Sequence, residues 1–181
     1  MVFKIRCDRS RRYFDYWKSL PREPGEILPP RSRFLPEDVP ELLSTTAIYE
    51  LVSPDLLKAR LQGTAINERF GRDITGENYL DYVAPERRAS ASRAFWTMAQ
   101  HPCGMHAILT HRLTSGRDVL VEALGFPYIN GEGGNPIVIF QSNEIEVPPG
   151  RKLRDEGELS MILLEGRTLI DIGNGVPVFV E

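Results

Sequence analysis

Apolar side chains near the start of the chain repeat with the period of a helix. Tyr13, Trp17 and Leu20 are spaced at i, i+4 and i+7, so a helix capped by Ser10 would carry them on one face. A face this aromatic is too apolar to remain in water, so we expect it to dock on the body of the chain or on a second copy. Five prolines in residues 21–36 predict an extended linker, because neither a helix nor a central strand tolerates that density.

Further along, the period changes to that of strands. Residues 46–52 and 57–62 predict two strands, although the second segment also fits a helix and periodicity does not decide between them. Residues 105–113 and 118–127 flank a Ser-Gly turn and predict a long antiparallel hairpin. Residues 137–145 predict a third long strand.

Helical patterns lie between these two groups of strands. Residues 64–70 predict a short helix, and residues 84–100 predict the longest one. Strands and helices are therefore segregated along the chain, which is typical of an α+β fold with helices on one face of an antiparallel sheet. We expect three regions: a basic N-terminal helix and proline-rich linker over 1–36, a core domain over 37–149 and a C-terminal tail over 150–181.

Composition narrows the class of protein. The chain has 181 residues, of which 41% are hydrophobic and 26% charged, so it can bury a core without disulfides. It shows no apolar run of the ~20 residues that a membrane helix needs and no signal-peptide pattern. Its two cysteines do not form a metal-binding pair. We therefore expect a cytoplasmic protein that does not bind membranes.

Charge is distributed unevenly along the chain. The net charge of −3 argues against a dedicated nucleic-acid partner. Residues 1–33 nevertheless carry nine basic and four acidic side chains. This basic arm could fold back on the acidic remainder, meet an acidic partner, or be a solvated helix, as runs of charge usually are.

Several short motifs together resemble one known family. The order of the predicted elements is similar to that of PAS domains. The segment YWKSLP, the linker with LPPR, RLQGT at residues 60–64 and GRDITG at residues 71–76 resemble the small standalone bacterial PAS-like proteins. The resemblance runs from about residue 13 to residue 147. It implies a PAS-like five-stranded antiparallel sheet in the spatial order 2-1-5-4-3, preceded here by the N-terminal helix.

The resemblance implies a sensory or adaptor function in signal transduction. PAS domains bind a small molecule between the sheet and its helices, or pair with another protein. No kinase, receiver, cyclase or helix-turn-helix pattern accompanies the domain, so we expect no catalytic output, a separate signalling protein as partner, and a homodimer formed through the N-terminal helix. Two alternatives stay open: an interaction or dimerisation module with a side-chain-filled core, and an enzyme on an α+β scaffold that uses Glu122 or Asp81 as a base.

Twelve residues on the predicted strands and helical cover are candidates for the lining of a ligand cavity. They are Arg60, Thr64, Phe70, Tyr79, Tyr82, Phe95, Trp96, His106, Leu120, Glu122, Leu124 and Phe140. Glu122 shares a strand face with Leu120 and Leu124. If that face lines the cavity, Glu122 would orient a ligand or pair with Arg60. If the register is reversed, Glu122 would lie in water.

The sequence indicates no particular cofactor. His106 and His111 lie an odd number of residues apart on one predicted strand, so they point to opposite faces and cannot share a metal ion. A haem-binding PAS domain would need an axial histidine on the helix lining the pocket. A flavin-binding one would need a cysteine in an asparagine-rich helix, a position that Cys103 does not occupy. The sequence therefore argues against haem and flavin and leaves the ligand open.

Overall fold

The architecture rests on one sheet. A computed structural model describes residues 3–147, 149 and 157–181. The strands in this part of the chain are β1 Thr46–Ser53, β2 Leu56–Gln62, β3 Gly104–Leu113, β4 Asp118–Tyr128, β5 Ile137–Glu144 and β6 Leu159–Ile170. They form an antiparallel sheet in the order β2-β1-β5-β4-β3-β6. The helices are α1 Asp8–Ser19, α2 Thr64–Phe70 and α3 Arg88–Gln100. Short 3-10 turns lie at Arg31–Arg33, Pro36–Asp38, Pro40–Thr45, Tyr79–Tyr82 and Pro85–Arg87.

The predicted α+β fold and its strand order 2-1-5-4-3 are confirmed, with one strand added. Residues 57–62, which also fitted a helix, belong to β2 and pair with β1. The additional strand, β6, lies in the predicted tail and pairs along β3. Its two apolar stretches are separated by Glu165, Gly166 and Arg167. This polar interruption breaks the alternation that identifies a strand in sequence.

Helices cover both faces of the sheet. α2 and α3 pack on one face, over a core that includes Leu57, Ile66 and Met98. α1 packs on the other face, over a second core that includes Leu124 and Phe126. Because successive side chains of a strand alternate in direction, each central strand supplies both cores.

The aromatic stripe of α1 is buried within its own chain. Tyr13, Trp17 and Leu20 are 0%, 2% and 6% exposed. The ring of Trp17 stacks on Phe126 with 4.5 Å between centroids, and the Tyr13 hydroxyl donates to the carbonyl of Ile139 at 2.9 Å. The stripe thus docks on the body of its own chain, one of the two alternatives that the sequence left open, and a homodimer formed through this helix stays a prediction.

The proline-rich linker folds back onto the domain. The guanidinium of Arg22 donates to the carbonyls of Trp17 and Leu20, and so holds the end of α1. The backbone N–H of Arg31 donates to the carbonyl of Ile129 at 2.8 Å, just beyond the end of β4. These bonds attach the start of the linker to the end of α1 and its later part to the residue that follows β4, so its extended conformation does not carry α1 away from the domain.

The GRDITG turn is held by one aspartate side chain. Asp73 Oδ1 accepts from the hydroxyl of Thr75 at 2.6 Å and from its backbone N–H at 2.9 Å. These two bonds hold the pKa of Asp73 below its ordinary value. We expect Asp73→Ala to lower the free energy of unfolding in urea by about 1 kcal/mol, the usual loss of such a capping acceptor.

A second aspartate provides the matched control for this turn. The Asp55 side chain accepts no hydrogen bond within the described ranges, so Asp55→Ala should change stability by less than about 0.5 kcal/mol. Equal losses in the two variants would contradict a structural role for Asp73.

Candidate functional site

A mainly apolar cavity lies between the sheet and the cover formed by α2 and α3. Its volume is about 60 Å³. Its wall combines residues of all three layers: Tyr49, Ile66, Phe70, Tyr79, Val83, Arg87, Ala91, Phe95, Met105, Ala107, Leu109, His111, Ala123, Phe140, Ser142, Ile162, Leu164 and Arg167. Three of these residues belong to β6, so the strand that the sequence did not predict completes the wall.

Four of the twelve predicted lining residues border this cavity: Phe70, Tyr79, Phe95 and Phe140. The ring of Phe95 lies 5.4 Å from that of Phe140 and 5.5 Å from that of Tyr79, measured between centroids. Edge and tilted contacts at these separations are typical of packed aromatic side chains. The structure therefore brings together the aromatic part of the predicted site.

Four other predicted residues lie near the cover but outside the cavity. Arg60 pairs at the surface with Glu50 at 2.7 Å, and Thr64 is exposed at the start of α2. The hydroxyl of Tyr82 bonds to Glu77, and the indole N–H of Trp96 donates to the carbonyl of Ser53 at 3.3 Å. Each of the four is directed away from the cavity by a polar partner or by water, which local sequence patterns do not reveal.

The last four predicted residues share the opposite face of the sheet. They are His106, Leu120, Glu122 and Leu124. The alternation of side chains along the strands correctly predicted that these residues share a face. The prediction that this face lines the cavity is wrong, because the face lies under α1. Both faces of this sheet are covered, so an apolar strand face here is as compatible with packing under α1 as with lining a cavity.

His111 is a buried polar residue in the mainly apolar wall of the cavity. It is 2% exposed, and its Nδ1 makes no hydrogen bond within the described residues. Burial, together with the charge of Arg69, holds the pKa of His111 well below its ordinary value, so the imidazole is neutral at pH 7. The predicted opposition of His106 and His111 across the strand is confirmed, but the alternation alone does not say which of the two faces the cavity.

Two tyrosines add phenolic groups to the same wall. The rings of Tyr49 and Tyr79 lie 4.9 Å apart, and both residues border the cavity. Burial raises the pKa of Tyr79 to about 12 and that of Tyr49 further, so both phenols stay protonated. Both can therefore donate or accept one hydrogen bond.

A guanidinium borders the cavity on the β6 side. The Arg167 side chain is 8% exposed, and burial lowers its pKa, which still leaves it cationic at neutral pH. Its Nη1 lies 3.2 Å from Oε2 of Glu181. The cavity thus combines aromatic walls, a neutral imidazole, two phenols and one cationic side chain.

Glu122 holds the N-terminal segment to the far face of the sheet. It is 0% exposed, and its Oε1 accepts from the backbone N–H of Arg6 at 2.7 Å and from Nε2 of His106 at 2.8 Å. Its Oε2 accepts from the backbone N–H of Cys7 at 2.9 Å. Burial raises the pKa of Glu122, but these bonds and one from Ser10 outweigh it, so the pKa lies below its ordinary value. Glu122 is therefore neither a ligand contact nor a partner of Arg60, and it is not in water.

The two carboxylates proposed for an enzyme do not meet. Glu122 is sealed under α1, whereas Asp81 is exposed beside the 3-10 turn at Tyr79–Tyr82. Among the described residues, no three side chains of His, Cys, Asp or Glu converge on one point. In the same ranges, every helix is too short or too polar to cross a membrane.

The chain is similar to several solved structures and to a family model. No curated protein matches the chain. A LOV protein of Rhodobacter sphaeroides is similar at 10% identity and a TM-score of 0.47, covering 62% of this chain and 68% of that one. A PAS-B domain of Drosophila melanogaster Cycle with bound glycerol is similar at 11% identity and a TM-score of 0.44, covering 55% and 98%. The PAS domain family model matches residues 5–140, well over half of the sequence. The chain belongs to the PAS domain family.

Proposed function

We propose that the protein is a sensory signalling domain that binds a small, largely apolar molecule in the cavity between sheet and helices. The observation that carries this proposal is His111, a neutral imidazole that is 2% exposed with an unpartnered Nδ1 on the cavity wall. An unsatisfied polar group among apolar side chains costs free energy, and a bound ligand that donates to Nδ1 or accepts from it, according to the tautomer, would recover that free energy. Few polar groups in an apolar pocket are also typical of ligand sites.

The size of the cavity favours a small ligand or a mobile wall. Its volume is about 60 Å³, whereas small-molecule pockets usually measure roughly 300–1,000 Å³. This same volume supports a second candidate function, a partner-binding module whose core is filled by its own side chains. The two candidates differ in whether purified protein carries or accepts a small molecule.

A route from the cavity to a partner exists in the sheet itself. Phe140 borders the cavity, while its neighbour Ile139 on β5 packs under α1. On β4, Ala123 borders the cavity, while its neighbour Leu124 packs under α1. We infer that occupation of the cavity shifts these strands and is read by a separate signalling protein at the α1 face.

A cavity-filling variant tests the ligand proposal. Ala107 borders the cavity on β3, so Ala107→Leu adds three carbons to its interior. Native mass spectrometry of wild-type protein is expected to show a bound small molecule, and the variant should lose it while gaining about 0.5–2 kcal/mol of stability from filling the space.

The matched control places the same three carbons elsewhere. Ala65 is on α2, away from the cavity, and Ala65→Leu should keep the ligand. A wild-type protein without any bound mass, together with a more stable Ala107→Leu variant, would favour the partner-binding module instead.

A further inference from the structure

Three side chains converge on one carboxylate at the edge of the cavity. Oε2 of Glu181 accepts from the Ser90 hydroxyl at 2.9 Å and lies 3.2 Å from Nη1 of Arg167 and 3.9 Å from Nη1 of Arg87. Ser90 is in the first turn of α3, where backbone N–H groups and the helix dipole also favour an anion. Two guanidinium groups and a hydroxyl around one carboxylate oxygen form a built carboxylate site.

Arg167 links this carboxylate site to the cavity. Its side chain is 8% exposed, borders the cavity, and leaves Nε without a hydrogen-bond partner in the described part of the chain. A guanidinium that is removed from water needs an anion nearby to offset the loss of hydration. Its partner Glu181 is 38% exposed, so the pair is buried on one side only. A carboxylate approaching from the cavity could therefore reach donor atoms that Glu181 leaves unused.

The segment that carries Glu181, residues 176–181, lies loosely on the domain; we refer to it as the plug. Val178 and Val180 are 96% and 75% exposed. Phe179, between them, packs against the core, and its ring lies 5.4 Å from the guanidinium of Arg167. The plug is thus attached mainly through two alternate side chains, Phe179 and Glu181. Both contact Arg167, one with an aromatic ring and the other with a carboxylate.

We propose that Arg87, Ser90 and Arg167 form the carboxylate subsite of the ligand cavity, that the ligand is a small organic acid with an apolar or aromatic body, and that the plug occupies this subsite when the ligand is absent. This inference rests on the proposed ligand-binding function. Departure of Phe179 and Glu181 would free the Arg167 side chain, which borders the cavity.

Two matched probes test the subsite on the full chain. Phenylacetate carries an aromatic ring and a carboxylate, and phenylacetamide has the same shape without the charge. By titration calorimetry, phenylacetate is expected to bind at least about tenfold more tightly than the amide, as charge-assisted bonds to arginine predict. Glu181→Gln removes the charge of the internal competitor, so it should tighten phenylacetate binding severalfold, whereas Val178→Ala should leave the affinity unchanged.

Variants of the subsite and the mobility of the plug give independent readouts. Arg87→Gln should weaken phenylacetate about tenfold and leave phenylacetamide unchanged, and Arg60→Gln, a surface arginine outside the cavity, is its control. Amide hydrogen exchange over residues 176–181 should become faster when phenylacetate is added, because the acid displaces the plug.

The outcomes separate this inference from the proposed function. Equal affinities for the acid and the amide, or no binding of phenylacetate to the Glu181→Gln variant, would overturn the carboxylate subsite. In either case, a bound mass that Ala107→Leu removes would leave the ligand-binding function intact. If Ala107→Leu leaves phenylacetate binding unchanged, the acid binds outside the cavity, and the proposed subsite is not part of it.

Discussion

Replacing Glu122 with alanine is expected to lower the free energy of unfolding by about 3–5 kcal/mol, because it leaves several donors without their acceptor and each buried unsatisfied group costs about 1–3 kcal/mol. The substitution removes the acceptor of the backbone N–H groups of Arg6 and Cys7 and of the imidazole of His106. These donors would remain beneath α1, where water does not replace the lost bonds. Urea denaturation at pH 7 gives the measurement.

A second glutamate on the sheet serves as the control. Glu165 on β6 is exposed and accepts one hydrogen bond, from the Thr110 hydroxyl at 2.6 Å. Glu165→Ala should therefore cost less than about 1 kcal/mol. Similar losses in the two variants would show that burial and hydrogen bonding of Glu122 contribute little to folding.

The contribution of Glu122 should also depend on pH. Its pKa in the folded protein is lower than in the unfolded chain, where an ordinary glutamate titrates near 4.5. A group with a depressed folded pKa stabilises the fold fully above the unfolded value, and this stability is lost as the pH falls through the folded value. The wild type should therefore lose stability more steeply than Glu122→Gln below about pH 4.5. Parallel curves for the two proteins would contradict a charged Glu122.

Local patterns predicted the elements that consist of long apolar segments bounded by turn residues. β1, β3, β4 and β5 are segments of this kind, buried on both faces over most of their length, and α3 carries its apolar stripe at helical spacing. β6 was missed because Glu165, Gly166 and Arg167 interrupt its two apolar stretches. Arg167 reaches the cavity from this interruption, so the same residues that concealed the strand supply its cationic side chain.

The site was harder to predict than the fold because a strand pattern does not say which of two covered faces holds a cavity. Glu122 and His111 are both buried polar residues on neighbouring strands, yet α1 covers one and the cavity borders the other. The aromatic residues Phe95 and Phe140 were identified because both faces of the sheet require large apolar side chains. Glu181 and Arg167 come together only through tertiary packing, and no local spacing indicates that contact.

Packing of α1 on its own sheet reverses the expected effect of removing it. If the helix connected two copies, deletion of residues 1–20 would produce a monomer. In the structure, deletion instead uncovers an apolar sheet face that includes Leu124, Phe126 and Ile139. All three side chains are fully buried in the intact chain. Newly exposed apolar surface of this kind drives association, so we expect the truncated protein to form oligomers or aggregates in light scattering.

A point variant keeps the chain length while loosening the same contact. Trp17→Ala removes the ring that stacks on Phe126 and should cost about 3–5 kcal/mol, as other large-to-small core changes do. It should also increase self-association without abolishing the fold of the sheet. Arg11→Ala, on the exposed side of α1, is the control and should change neither property. A dimeric full-length protein that becomes a monodisperse monomer on deletion would instead show that α1 holds two chains together in solution.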